Sequence, residues 1–168
     1  STFRGEVRKL PLFDITYSCF DNNRVERPVL NRLRMLYSYI ASAYIHGNEE
    51  KAIAIPKQIA VPLFNLSKLV KRPPIMSYAD YSLNNWRQKT PAAKIELDNL
   101  DLLVKFNKVY DEDWFILIHV AIEAEAGVAL SSMYEFLETL ERYDSKDEDI
   151  SDDAVQQFDD NLRKIYSS

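Results

Sequence analysis

The sequence predicts a mainly α-helical protein, and three observations carry that prediction. Only three of its 168 residues are glycine (Gly5, Gly47 and Gly127), too few for a fold built on tight β-turns. Behind Pro28, apolar residues recur at helical spacing. Further on, the stretch from Asp111 to about Tyr143 reads as one long helix.

Taken in order, residues 1–27 show no clean period. Leu10-Pro11-Leu12-Phe13 is apolar but broken, and Asp21-Asn22-Asn23 reads as a turn. Pro28 suits the first turn of a helix. Val29, Leu30, Leu33, Leu36, Tyr37, Ile40, Ala43 and Tyr44 then line one face up to Gly47, a natural terminator, with His46 placed to cap helix-end carbonyls. From Ile53 to Val61, Pro56 and the closing Pro62 predict an extended connector. Pro62 is expected to open a short helix carrying Leu63, Phe64, Leu66, Leu69 and Val70, and Pro73-Pro74 forbids its continuation. Ser77 is expected as the N-cap of a further helix, with Asp80 in its first turn. Leu100–Phe106 fits a strand or a helical turn equally well. The acidic residues Asp111–Asp113 suit the start of the long helix. From Trp114 to Ile122 it is apolar on nearly all faces and is expected to be buried all round. Past Ser131 it becomes amphipathic, with Met133, Phe136, Leu137 and Leu140 on one side. Asp144–Asp149 reads as a solvated linker. Ser151 should cap a last helix with Val155, Phe158, Leu162 and Ile165 on one face.

Composition narrows the function classes. The 21 basic and 26 acidic side chains leave a net charge of −5. With no basic stripe, that balance argues against binding a nucleic-acid backbone. No apolar run approaches the roughly 18 residues of a membrane span, so nothing is expected to cross a membrane and no membrane partner is expected. The N-terminus lacks the order of a secretory signal. A single cysteine, Cys19, fits a reducing cytoplasm and has no basic neighbour to activate it. Two histidines and one thiol make a Cys/His zinc site implausible, and the sparse glycines leave no phosphate-cradling loop.

The chemistry-bearing candidates fall in two segments. His119 lies in the middle of WFILIHVAI, where an imidazole needs a hydrogen-bond partner or a polar cavity. Helical spacing aligns it with Phe115, Ile122 and Ala126, with Glu123 one turn on and Gly127 two turns on. A core histidine satisfied by one hydrogen bond is the simpler reading. A cavity wall of ring, imidazole and bare glycine is the sharper one, and spacing alone leaves both open. The second segment is Tyr78-Ala79-Asp80-Tyr81-Ser82. Its phenols and hydroxyl could line an aromatic pocket or merely pack by their rings as part of a capped helix.

These same segments carry a resemblance. IAVPLFNLSKLVKRPPIMSYADYSLNNWR, followed by DEDWFILIHVAIEAEAGVAL, resembles the indoleamine 2,3-dioxygenase family. The shared pattern is a P-x-x-IAVP entry, a PPI-x-x-YAD-x-x-x-x-NW block and an F-x-L-x-x-x-x-x-E helix. It runs from about Ile53 to Leu130, with weaker similarity on either side. The resemblance implies a small, mixed helical N-terminal domain over residues 1–106 and, over 107–168, the first helices of a larger all-α domain, with haem b between the two. It implies a haem-dependent dioxygenase that adds both atoms of O₂ across the indole 2,3-bond of L-tryptophan, giving N-formylkynurenine. On that basis Tyr78, Tyr81 and Ser82 from the small domain, with Phe115, Ile116 and His119 from the long helix, match the distal pocket.

Two departures stand out. His119 replaces the serine of the mammalian enzymes, as in a microbial-type member, and by analogy with tryptophan 2,3-dioxygenases it would accept a hydrogen bond from the indole N–H as a neutral imidazole. Tyr81 replaces a small residue, which changes the pocket volume. The family's proximal histidine, its substrate-carboxylate arginine and its glycine-rich loop belong to a downstream portion absent from these 168 residues. The chain is thus expected to work with the remainder of a polypeptide or with a second chain. The alternatives are a haem monooxygenase acting on another indole, or a non-catalytic helical module that binds a partner protein.

Overall fold

The structure is a computed structural model and describes residues 2–13, 15, 26–144 and 151–167. Cys19, the Asp21–Asn23 turn and most of the acidic linker lie outside the described residues. As expected from the sequence, the fold is mainly α. The helices are α1 (Phe3–Lys9), α2 (Arg27–His46), α3 (Lys57–Val70), α4 (Tyr110–Asp144) and α5 (Asp152–Ser167). Between α3 and α4 come a π-helical turn (Ala79–Leu83), strand β1 (Trp86–Gln88), a 3₁₀ turn (Leu97–Asn99) and strand β2 (Leu100–Leu102).

α2 runs as predicted, with Pro28 in its first turn and Gly47 donating its N–H to Ala43 at its end. It packs against α3, and α1 closes over both. Val7, Ala41, Tyr44, Ile59 and Leu63 form the core of this layer. α1 itself was not legible in the sequence. Thr2 caps it by accepting the Gly5 N–H, and Arg4 ties it down by donating to the carbonyls of Tyr44, Ile45 and Glu50.

The connector expected over Ile53–Val61 is corrected by the structure, and so is the start of α3. The helix begins at Lys57, with Pro56 as its N-cap and Pro62 inside it. Proline within a helix forfeits a hydrogen bond and costs roughly 3 kcal/mol. Here Pro62 is wholly buried, in line with Ile59, Leu63, Leu66 and Val70, whose burial offsets that cost. The helix then stops where Pro73-Pro74 demands. Lys71 takes the left-handed conformation and the Arg72 N–H closes onto Ser67.

β1 and β2 form an antiparallel hairpin with Trp86 opposite Leu102, Arg87 opposite Asp101 and Gln88 opposite Leu100. This resolves the Leu100–Phe106 ambiguity in favour of a short strand. Across the ladder, the Arg87 guanidinium holds the Asp101 carboxyl below the usual carboxylate range.

α4 starts at its acidic cluster. Glu112 takes the N–H groups of Phe106 and Asn107, fixing the approach of the chain. The expectation that Trp114–Ile122 is buried all round is overturned. Ile116 and Val120 are buried against the π-helical turn and the hairpin, whereas Trp114, Phe115 and Ile122 are about half exposed. Among the described residues, one flank of α4 is covered by the turn and the hairpin. α5 packs against α4, yet Val128, Leu130, Met133 and Leu137 remain exposed too. Although no uninterrupted apolar run is that long, Tyr110–Glu141 is by length and composition apolar enough to cross a membrane. A helix destined for the interior of a larger protein passes the same test.

Arg34 is the buried charge at the centre of the fold. Its guanidinium, 1% exposed, pairs with the equally buried Asp80 and donates to the carbonyls of Pro73 (2.6 Å) and Ile75 (2.8 Å) and to Ser67 Oγ (3.3 Å). Removing either partner strands a charge out of water, so Arg34→Ala and Asp80→Ala should each lower stability by about 3–5 kcal/mol. The double variant should lose clearly less than the sum of the two. Urea unfolding of the three variants checks both outcomes.

Candidate functional site

The π-helical turn presents the first half of the site. Ser77 does not cap it as expected: the roles are reversed, and Asp80 Oδ2 accepts from both the Ser77 N–H and the Ser77 hydroxyl at 2.8 Å. The other oxygen of Asp80 faces Arg34, so one carboxylate joins the start of the turn to α2. Ala79 O receives both the backbone N–H and the side-chain amide of Asn84, which widens the turn to π geometry. Next comes Asn85, fully buried. It donates to Val104 O and Tyr39 Oη and accepts from the Val104 N–H, standing in for a rung of sheet. Tyr39 stacks on Phe106 with ring centroids 4.6 Å apart, and burial pushes its phenol pKa upward. The turn is therefore locked at both ends.

α4 presents the second half. His119 and Phe115 lie one helical turn apart with ring centroids at 4.7 Å, and Tyr78 meets His119 edge-on at 6.0 Å and Tyr81 at 5.4 Å. Four of the residues singled out from the sequence thus form one aromatic cluster. Ile116 is buried. Ser82 is fully buried, and its Oγ has no hydrogen-bond partner.

The two readings of His119 can now be compared. The imidazole is half-buried rather than entombed, and its Nδ1 lies 2.5 Å from Phe115 O. A carbonyl only accepts, so Nδ1 carries the proton. A neutral ring then keeps a lone pair on Nε2. The hydrogen bond of the simpler reading exists, and it leaves the second nitrogen available as an acceptor. Gly127, two turns along, has nothing within 4 Å of where a side chain would start, so that part of the helix is bare.

Sequence reading noted Glu123 only by its spacing, and the structure gives it a partner. Its carboxylate accepts from the Tyr78 hydroxyl at 2.9 Å. Desolvation and this hydrogen bond raise the Tyr78 phenol pKa. His46 closes α2 on a different element, remote in the chain from this cluster. Among the described residues, no group of three or more His, Cys, Asp or Glu is placed to hold a metal ion. An apolar groove of about 530 Å³ on α3, lined by Ile55, Val61, Phe64 and Pro74 among others, shares no residue with the aromatic cluster.

Comparison with known proteins points the same way as the geometry. The family model described as indoleamine 2,3-dioxygenase matches residues 1–168. Indoleamine 2,3-dioxygenase 1 of Mus musculus is 34% identical over 146 residues, covering 85% of this chain and 34% of its own. Indoleamine 2,3-dioxygenase acdA of Aspergillus candidus is 33% identical over 116 residues, covering 66% of this chain and 29% of its own. The Saccharomyces cerevisiae enzyme is 26% identical over 128 residues, covering 73% and 28%. The chain spans about a third of the length of these curated relatives. The match along the whole chain and the mainly helical fold lead to one conclusion: this protein belongs to the indoleamine 2,3-dioxygenase family.

Proposed function

We propose that this chain is the distal-side portion of a haem-dependent dioxygenase that opens the indole 2,3-bond of L-tryptophan, or of a related indole, to give N-formylkynurenine. The observation that carries the reading is the contact of His119 Nδ1 with Phe115 O, which in a neutral ring leaves Nε2 as an acceptor within a cluster of aromatic rings. Phe115, half exposed beside it, offers a face for an indole ring. Nε2 accepts the indole N–H and so fixes which edge of the ring is presented. The hydrogen bond from Nδ1 to Phe115 O keeps that tautomer and orientation in place. Tyr78 and Tyr81 form the opposite wall, and Tyr81 narrows it where the mammalian enzymes have a small residue.

The residues present suit one side of a haem: a bare apolar flank including Trp114, Phe115 and Ile122, with one neutral imidazole. When bound, haem supplies the redox chemistry with dioxygen. In this reading the histidine that would hold the haem iron, the arginine for the substrate carboxylate and the glycine-rich loop would come from the remainder of the polypeptide or from a second chain. Domains of 1–106 and 107–168 then meet at the aromatic cluster.

The exposed apolar flanks of α4 and α5 also favour a second reading, a non-catalytic helical module that binds a partner protein. A Soret band on adding haem to the complete protein supports the dioxygenase and excludes the bare module. A product heavier by two oxygen atoms separates dioxygenation from monooxygenation.

His119→Ala in the haem-loaded complete protein should lower kcat/KM for L-tryptophan about tenfold or more, as expected when a substrate N–H loses its acceptor. Soret absorbance per protein should stay near the wild-type value. Unchanged tryptophan kinetics would refute the role given to the imidazole. Gly127→Ala should stabilise an uncovered helix by up to roughly 1 kcal/mol. If haem or another helix lies against Gly127, the same change should instead lower thermal stability or haem occupancy, and that loss is the expected result.

A further inference from the structure

Glu123 has no part in the chemistry proposed above, yet the structure ties it to the site. It lies one turn beyond His119 on the same flank of α4. Its carboxylate accepts from the Tyr78 hydroxyl at 2.9 Å. Tyr78 belongs to the facing element, at the head of the π-helical turn, and its ring stands edge-on to both His119 and Tyr81. Without the carboxylate, the partly exposed phenol loses this hydrogen bond, and the gap between turn and helix loses a tie across it.

We propose that Glu123 is a positioning residue that sets the width of the indole slot by holding the Tyr78 phenol beside the His119 imidazole. This rests on the dioxygenase reading and adds a determinant of which indoles enter. A wall of fixed width acts on ground state and transition state alike, so its loss moves KM more than kcat. It also relaxes discrimination against indoles substituted on the benzo ring.

The test uses the complete, haem-loaded protein with Glu123→Ala, Glu123→Gln, Tyr78→Phe and the Glu123→Ala/Tyr78→Phe double variant. Glu123→Ala and Tyr78→Phe should each raise KM for L-tryptophan roughly three- to tenfold with kcat within about twofold, the size of one lost hydrogen bond. The double variant should be no worse than either single one. Glu123→Gln, whose amide oxygen still accepts from the phenol, should restore most of the loss. A 5-substituted tryptophan should gain relative to tryptophan in Glu123→Ala. An absorbance titration of the phenols supplies a readout independent of turnover: one group absent from Tyr78→Phe should ionise at lower pH in Glu123→Ala.

Additive effects in the double variant, an unmoved phenol titration or an unchanged preference between the two substrates would overturn the proposal. Those outcomes, with His119→Ala still damaging, condemn the latch alone. A wild-type complete protein that shows no Soret band with haem, or no product heavier by two oxygen atoms, condemns the dioxygenase reading itself.

Discussion

Burying a guanidinium and a carboxylate together is costly unless every donor and lone pair finds a partner. Each polar atom of the Arg34–Asp80 pair has at least one such partner, supplied by the pair itself, backbone carbonyls, the Ser67 and Ser77 hydroxyls and the Ser77 N–H. As a result α2, the Pro73–Ile75 bend and the head of the π-helical turn can take only one mutual arrangement. The aromatic cluster depends on that arrangement, because Tyr78 and Tyr81 flank Asp80 in the chain. A hydrophobic pair could fill the same volume, but it would not dictate where two carbonyls and a turn N–H must lie.

α4 carries two kinds of surface. Ile116 and Val120 close the core against the turn and hairpin, while Trp114, Phe115 and Ile122 face outward half bare. A helix apolar on nearly every side but covered on one is stable only if the other sides also find company. The imidazole sits at the boundary between these surfaces, where one nitrogen is committed to the backbone and the other is not.

Much of this was legible beforehand, for identifiable reasons. α2, α4 and α5 announce themselves through long periodic patterns and their Pro28, Asp111–Asp113 and Ser151 starts. Tyr78, Tyr81, Phe115 and His119 were brought together by family likeness, which supplied the tertiary pairing that spacing lacks. What escaped depended on contacts distant in sequence. Pro62 looks like a helix start because its burial cannot be read from the sequence. Trp114–Ile122 looked like a core segment because apolarity does not say who covers it. Asp80 reads from the sequence only as a first-turn carboxylate, and nothing in the spacing links it to Arg34, 46 residues earlier. Glu123 gained its significance only from the hydroxyl opposite it.

The π-helical turn makes chain length itself a constraint. It holds one residue more than an α-helical path over the same rise would need, and Asn84 doubles back onto Ala79 to secure it. Deleting a single residue between 79 and 83 would narrow the turn and break the paired grip of Asn84 on Ala79 O that secures it. Away from Asp80, a side chain along this short stretch of backbone is therefore easier to exchange than the number of peptide units is to alter.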